Sequence, residues 1–191
     1  MHLYEYFLKK GISEFQDCVK IRQVKKGEMI YDITQEETDF YEVKTGAIKL
    51  GTQSPKGERY IYAVLKPGET FGNTAFLSGA FMEFSKAIVP STLYVYKLHF
   101  IKQQILNDPG AVEMYIRKIT TRWNSTESLL AKLHYYEPRE RILQLYKTYN
   151  EMVPTDLNRP VKLIKNLTKK DIADLTATTR QLVASTLNDL L

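Results

Sequence analysis

The sequence predicts an α+β protein in three parts: an antiparallel barrel or sandwich, one long helix, and a small helical unit at the C-terminal end. Three observations carry this expectation. Short strand-like runs fill Ile21 to Leu98 between turn residues, with glycines at 27, 46, 51, 57, 68, 72 and 79. From Val112 to Leu133 apolar residues recur with heptad spacing. Beyond Leu167, two short helical patterns each open on a hydroxyl residue.

At the start of the chain, residues 1–12 mix Glu5, Lys9 and Lys10 among aromatics, unlike a signal peptide. No apolar run approaches the ~18 residues of a bilayer span, so a cytoplasmic protein with no membrane partner is expected. In the strand region, Tyr41, Val43, Ile48 and Leu50 lie on the alternating side of two runs separated by Thr45-Gly46. Leu93 and Val95 alternate with Tyr94 and Tyr96, so one buried face is expected in each run. Ser54-Pro55-Lys56-Gly57 and Lys66-Pro67-Gly68 are turns in which proline presets φ and glycine supplies a positive φ.

After Asn107-Asp108-Pro109, a helix start, the period changes from two to that of a helix. Val112, Ile116, Ile119, Trp123, Thr126, Leu130 and Leu133 form an a/d stripe. An amphipathic helix packed on its own barrel carries similar spacing. Three unbroken heptads keep the stripe narrow, however, and favour a parallel homodimer seam through Val112–Leu133. Glu137-Pro138-Arg139 then interrupts the helix. The expected domains are therefore 1–107, a dimerisation helix at 108–136, and 137–191. Within the last, Arg141 to Met152 reads as a helix and Val153 to Pro160 as a loop.

Hydrophobic residues are 43% and charged residues 26%, the balance of a folded protein. The single cysteine, Cys18, excludes an internal disulfide and, within one chain, a thiolate zinc site or an iron–sulfur cluster. The net charge is +5, and residues 138–191 hold nine Lys and Arg against six Asp and Glu, which points to an acidic partner. Thr168-Lys169-Lys170-Asp171 opens a helix ending near Leu175, with a near capping box. Thr178 is the expected cap of the next helix, with Gln181 reaching back, and Val183, Leu187 and Leu190 facing inward. Ala173 lets the two helices cross closely. Arg180, Gln181, Ala184, Ser185 and Asn188 fall on the outer face, which suits a major groove, since Arg pairs with guanine and Gln with adenine. A plain helical hairpin with a solvated face is the alternative.

Residues 167–190 resemble the helix-turn-helix of CRP/FNR transcription regulators through Leu167-Thr168, Asp171-Ile172-Ala173 and Thr179-Arg180-Gln181-Leu182-Val183. Lys26-Gly27-Glu28, Phe40 to Gly46 and Leu65 to Gly72 resemble the cyclic-nucleotide-binding β-roll. The resemblance implies a jelly-roll-like β-roll sensor, a dimerisation helix and a DNA-binding unit. It also implies double-stranded DNA and a second copy as partners, with RNA polymerase as a further candidate. Thr179, Arg180, Gln181, Ser185, Lys169 and Lys170 are then the expected DNA contacts. The family's β-hairpin wing after the recognition helix has no counterpart before Leu191.

Members that bind cyclic nucleotides follow Phe-Gly with Glu for the ribose and carry Arg-Ser or Arg-Thr for the phosphate. Here Asn73 follows Gly72, and Glu83-Phe84-Ser85 stands where Arg-Ser is expected, which argues against a cyclic nucleotide. The stretch Thr178–Asp189 resembles that of the carbon monoxide sensors, which carry haem. The histidines, however, are His2, His99 and His134, and His99 reads as a surface or capping residue. Thr120–Glu127 resembles the long-helix stretch with which cyanobacterial nitrogen-control regulators bind 2-oxoglutarate, with Arg122 and Glu127 at matching positions. The second arginine of that branch is missing, and a solvated Arg–Glu pair on a helix flank is the plainer reading. Gly72, Asn73, Thr74, Ser85, Arg122, Thr126 and Glu127 are the candidate effector contacts, an anionic metabolite the candidate effector, and no resident cofactor is expected.

A β-roll interaction module that no longer reads DNA is the competing function. A cupin-type metalloenzyme fails for want of histidine between His2 and His99. No Gly-rich phosphate loop, nucleophile elbow or catalytic His-Asp pair is present, so no enzyme is expected.

Overall fold

Alternation and turn chemistry lay the first half of the chain into two sheets. The computed structural model describes residues 1–33, 39–72, 82–156 and 159–189. Its strands are β1 (Val19–Val24), β2 (Met29–Tyr31), β3 (Asp39–Thr45), β4 (Ile48–Gln53), β5 (Arg59–Leu65), β6 (Thr70–Phe71), β7 (Phe84–Ala87) and β8 (Ser91–Lys97). They form two four-stranded antiparallel sheets, β1-β8-β3-β6 and β2-β7-β4-β5, the two walls of a β-roll. The β3–β4 reversal needs its glycine. Gly46 has φ 87°, and a Cβ there would fall 2.0 Å from Ser91 Oγ. Between the walls lie Tyr31, Tyr41, Val43, Ile48, Leu50, Phe71 and Leu93 among others.

The expectation of one buried face per strand fails for β3 and β8. Phe40, Tyr94 and Tyr96, on the opposite side from Tyr41, Val43 and Leu93, are buried as well. The cause is a second cover. Helices α1 (Leu3–Lys10), α2 (Phe15–Cys18) and α3 (Leu98–Asn107) seal the outer face of that sheet with Leu3, Phe7, Phe15 and Phe100. Tyr4 stacks on Tyr94 with ring centroids 4.0 Å apart.

Within this aromatic layer sits Glu42, with no exposed surface. Its carboxylate accepts hydrogen bonds from the Leu3 N–H (3.1 Å), the Tyr4 N–H (3.4 Å), the Tyr96 hydroxyl (2.8 Å) and the Lys118 ammonium (2.9 Å). The first two are unsatisfied donors of the α1 N-terminus, where negative charge is favoured. Burial alone raises the Glu42 carboxyl, but His2, Lys118 and the Leu3 N–H outweigh it, and the group lies below its ordinary value.

Lys118 belongs to the long helix α4 (Pro109–Tyr135), which starts where the sequence places it. Asp108 caps its Gly110 and Ala111 N–H groups, and also accepts from the Tyr6 hydroxyl (2.7 Å) and from Lys10 of α1. Although burial opposes it, these donors hold the Asp108 carboxyl down at about 2.

Proline ends this run as expected, but the next helix is displaced from Arg141–Met152. It is α5 (Pro138–Thr148): Pro138 occupies the first turn, and the Glu140 carboxylate accepts from the Glu137 N–H at 3.1 Å. The helix stops earlier because β9 (Met152–Val153), at the start of the expected loop, pairs antiparallel with β10 (Val161–Lys162). A 3-10 turn (Leu163–Asn166), α6 (Lys169–Thr176) and α7 (Arg180–Asn188) complete the chain. The α5–α7 helices share one apolar cluster with the outer side of the second sheet, where Ile61, Val64 and Phe84 meet Ile142, Leu163, Ile172 and Val183.

Replacing Glu42 by Gln leaves the half-buried Lys118 ammonium without its buried counter-charge and is expected to destabilise the fold by about 3 kcal/mol. Because the folded-state carboxyl lies below the ordinary value of 4.5, its stabilising contribution is fully present above that pH. It is lost as pH falls through the folded value. Urea titrations at stepped pH should therefore show a weaker acid dependence in Glu42→Gln than in the wild type.

Candidate nucleic-acid interface and effector site

The two C-terminal helices are fixed by caps at both ends of their turn. The Thr168 hydroxyl accepts from the Asp171 N–H (3.1 Å) and the Asp171 carboxylate from the Thr168 N–H (2.9 Å), closing the capping box that opens α6. Ala177 adopts a left-handed conformation (φ 48°) at its other end. The cap of α7 is Thr179, not Thr178 as the sequence suggests. Thr179 accepts from the Leu182 N–H at 3.2 Å, so Gln181 has no capping role. The Thr178 N–H instead donates to the Ala173 carbonyl (3.0 Å), and its hydroxyl meets that of Thr176 (3.1 Å).

Val183 is fully buried, Leu187 partly, and Leu190 lies outside the described residues. Ala173 is buried at the helix crossing. Thr179, Arg180, Gln181, Ser185 and Asn188 are exposed, which leaves one polar face of α7 open at the surface. Lys169 is exposed too.

Lys170 is placed differently from the expectation. Its ammonium donates to the Arg59 carbonyl (2.7 Å) and pairs with Asp174 (3.0 Å), while Asp174 accepts from the Ile61 N–H at 3.2 Å. Arg59 and Ile61 are two residues apart on β5, the edge strand of its sheet. Two side chains of α6 thus complete a strand edge as a neighbouring strand does. Alongside them the Lys49 ammonium of β4 meets the Asp171 carboxylate at 2.7 Å, a largely buried pair.

Sequence reasoning missed Arg141. Its guanidinium donates to Thr176 O (2.8 Å) and Ala177 O (3.2 Å) at the end of α6, and to Tyr136 O (2.9 Å) at the end of α4. One side chain therefore satisfies the carbonyl ends of both the long helix and the first helix of the pair. No local pattern marks such an arginine, because its partners lie up to 36 residues away.

The candidate effector residues do not gather in one place. Arg122 reaches the roll, donating to the Thr70 carbonyl (3.2 Å) and lying 4.0 Å from Glu83. A cleft of about 530 Å³ opens there between the Pro67–Thr70 turn and α4, lined by Glu69, Lys118 and Arg122 among others. Glu69 is raised by burial. Ser85 is buried in the second sheet. Gly72 has φ 79°, and a Cβ there would meet the Asp39 carbonyl at 2.6 Å, a backbone reason for glycine. Asn73 and Thr74 lie outside the described residues.

Glu127 is elsewhere. It accepts from the Trp123 indole N–H (2.5 Å) on the exposed side of α4, and the Thr126 hydroxyl bonds back to the Arg122 carbonyl (3.0 Å). The expected Arg122–Glu127 pair is not formed within the chain. His99 is exposed, with Nε2 3.7 Å from Cys18 Sγ. Among the described residues no three His, Cys, Asp or Glu side chains group as a metal site, and no helix is long and apolar enough to cross a membrane.

Residues 21–108, the roll up to the start of α4, match the family model of the cyclic nucleotide-binding domain. No curated protein matches the sequence. Among solved structures, a transcriptional regulator of the CRP/FNR family from Thermus thermophilus, TTHA1359, is 16% identical with a TM-score of 0.69 over 90% of this chain and 85% of that one. This chain has the CRP/FNR fold. A cyclic nucleotide-binding domain containing protein from Listeria monocytogenes is similar at 18% identity and TM-score 0.74, over 98% of this chain and 88% of that one. A CooA variant from Carboxydothermus hydrogenoformans is 16% identical, with TM-score 0.71 over all of this chain and 84% of that one. The antiparallel β-roll, the long helix and the C-terminal helices make up the α+β fold class that the sequence predicts.

The CRP/FNR roll and the helical unit share a core and the Lys49–Asp171 pair, so they should unfold together. Lys49→Ala is expected to lower stability by about 3 kcal/mol, because it strands a buried carboxylate. In urea, near-ultraviolet and far-ultraviolet circular dichroism should shift together in a single transition. Two separated transitions would contradict the coupling.

Proposed function

We propose that the chain is a homodimeric, sequence-specific DNA-binding transcription regulator. The observation that carries this reading is the open polar face of α7. Arg180, Gln181 and Ser185 stand in solvent on a helix whose opposite side is anchored by buried Val183. Arg180 and Gln181 occupy the first turn, the part of a recognition helix that meets base edges. Lys169 at the start of α6 faces outward and supplies a phosphate contact. The CRP/FNR fold and the net charge of +5 agree with an acidic, double-stranded partner.

The dimer is read from α4. One face of that helix packs on the roll through Ala111, Met114 and Tyr115, whereas Ile116 (56%), Trp123 (63%) and Leu130 (56%) on the heptad stripe are exposed. Such large apolar residues in register are the seam of a second α4. A parallel dimer sets two α7 helices on one side of the assembly, which fits two half-sites about 34 Å apart. RNA polymerase belongs to this reading as the downstream partner.

Ile119→Asp with Leu130→Asp should give monomers in analytical ultracentrifugation, and unchanged dimers would refute the seam. In a random-sequence DNA selection the wild type should yield a two-fold-symmetric motif. Arg180→Ala should cost about 1–3 kcal/mol and relax preference at one base pair per half-site. Lys169→Ala should weaken all sequences alike and reduce the salt slope by about 1. A selection without any motif would leave the roll as an interaction module.

A further inference from the structure

Three elements converge on one carboxylate. Glu83 lies just ahead of β7 with its side chain 7% exposed. The Tyr31 hydroxyl of β2 donates to its Oε1 and the Tyr62 hydroxyl of β5 to its Oε2, while Arg122 Nη2 from α4 stands 4.0 Å from Oε2. Burial and the adjoining Glu83 charge push the Tyr62 phenol far above its ordinary value, so it stays a proton donor. Two residues along, Ser85 faces the roll interior, as Ala87 does. Its hydroxyl is buried and has no hydrogen-bond partner among the described residues.

Without the Glu83 carboxylate, what remains is two phenol donors, a guanidinium and a spare buried hydroxyl. That set is suited to a carboxylate or phosphate oxygen. We infer that Glu83 is a built-in anion: its carboxylate holds, from within the chain, the place that an effector's carboxylate or phosphate would take between the roll and α4. The junction then closes with no anionic effector. A free anion is opposed twice. It meets a like charge in a partly desolvated site, and it competes with a group tethered at an effective concentration of about millimolar or more. The same arrangement answers the sequence: Arg122 does reach the roll, but its charge is already matched. The inference rests on the regulator reading for its consequence, that DNA reading in this protein requires no such ligand.

The test is calorimetry on the full chain with inorganic phosphate and, separately, 2-oxoglutarate, which distinguishes the two oxyanion sources. The wild type should bind neither. Glu83→Ala should bind at least one of them about tenfold or more tightly than the wild type, and adding Arg122→Ala should abolish the gain. Should Glu83→Ala fail to fold, Glu83→Ser, which likewise empties the place and removes the charge, is read instead with the same expected direction. Dialysed wild type should bind its selected DNA equally with and without either anion. Arg122-dependent binding of either anion by the wild type, or no gain in the Glu83 variants, would overturn the inference. If the Glu83 variants gain anion binding while the wild type binds no DNA, the built-in anion stands and the regulator reading falls.

Discussion

A single buried carboxylate organises the N-terminal half. Glu42 has no exposed surface, yet it takes hydrogen bonds from the N-terminus of α1, from Tyr96 of β8 and from Lys118 of α4. A charge in such a place is tolerated only when its lone pairs are filled, so each of these elements must be present for the others to sit where they do. The arrangement fixes the long helix against the roll, and with it the positions of Arg122 at the cleft and of the open stripe on the far side. Lys118 also donates to the Gly68 carbonyl, which extends the same constraint to the turn beside the cleft.

Much of the architecture was legible in the sequence because it follows from local rules. Glycines and prolines at the turns, the change of hydrophobic period near Asp108, and the Thr168–Asp171 capping box each act within a few residues. The misreadings arose where a distant part of the chain intervenes. Tyr94 and Tyr96 look like a solvent face only if nothing covers them, and residues 1–18 do. Met152 continues a helical pattern until β10 offers a partner. The cap at Thr179 rather than Thr178 turns on one residue of register, set by the left-handed Ala177, which the sequence does not mark.

Charges were read least well, for the same reason. Lys170 looks like a phosphate contact when only its neighbours in sequence are considered, whereas its ammonium is engaged by Arg59, 111 residues away. Arg122 and Glu127, five residues apart and so on different sides of an ideal helix, face different surroundings. Glu83, which stands where the family pattern has an arginine, lies 4.0 Å from the Arg122 guanidinium. An unexpected carboxylate beside expected cations is therefore best read with the question of which cation it neutralises.

The docking of α6 on β5 bears on how far the C-terminal helical unit can travel. An edge strand whose backbone groups point outward is a template for pairing with any other chain, and here the carbonyl of Arg59 and the N–H of Ile61 are masked by Lys170 and Asp174. Were the helical unit to swing away as a rigid arm, it would bare that edge and the apolar surface of Ile61, Val64 and Phe84 beneath it. Such a state invites aggregation as much as signalling. The fold therefore favours small adjustments that keep the strand covered, with Arg141 as a pivot joining the ends of the two helices, over wide excursions of a detached arm.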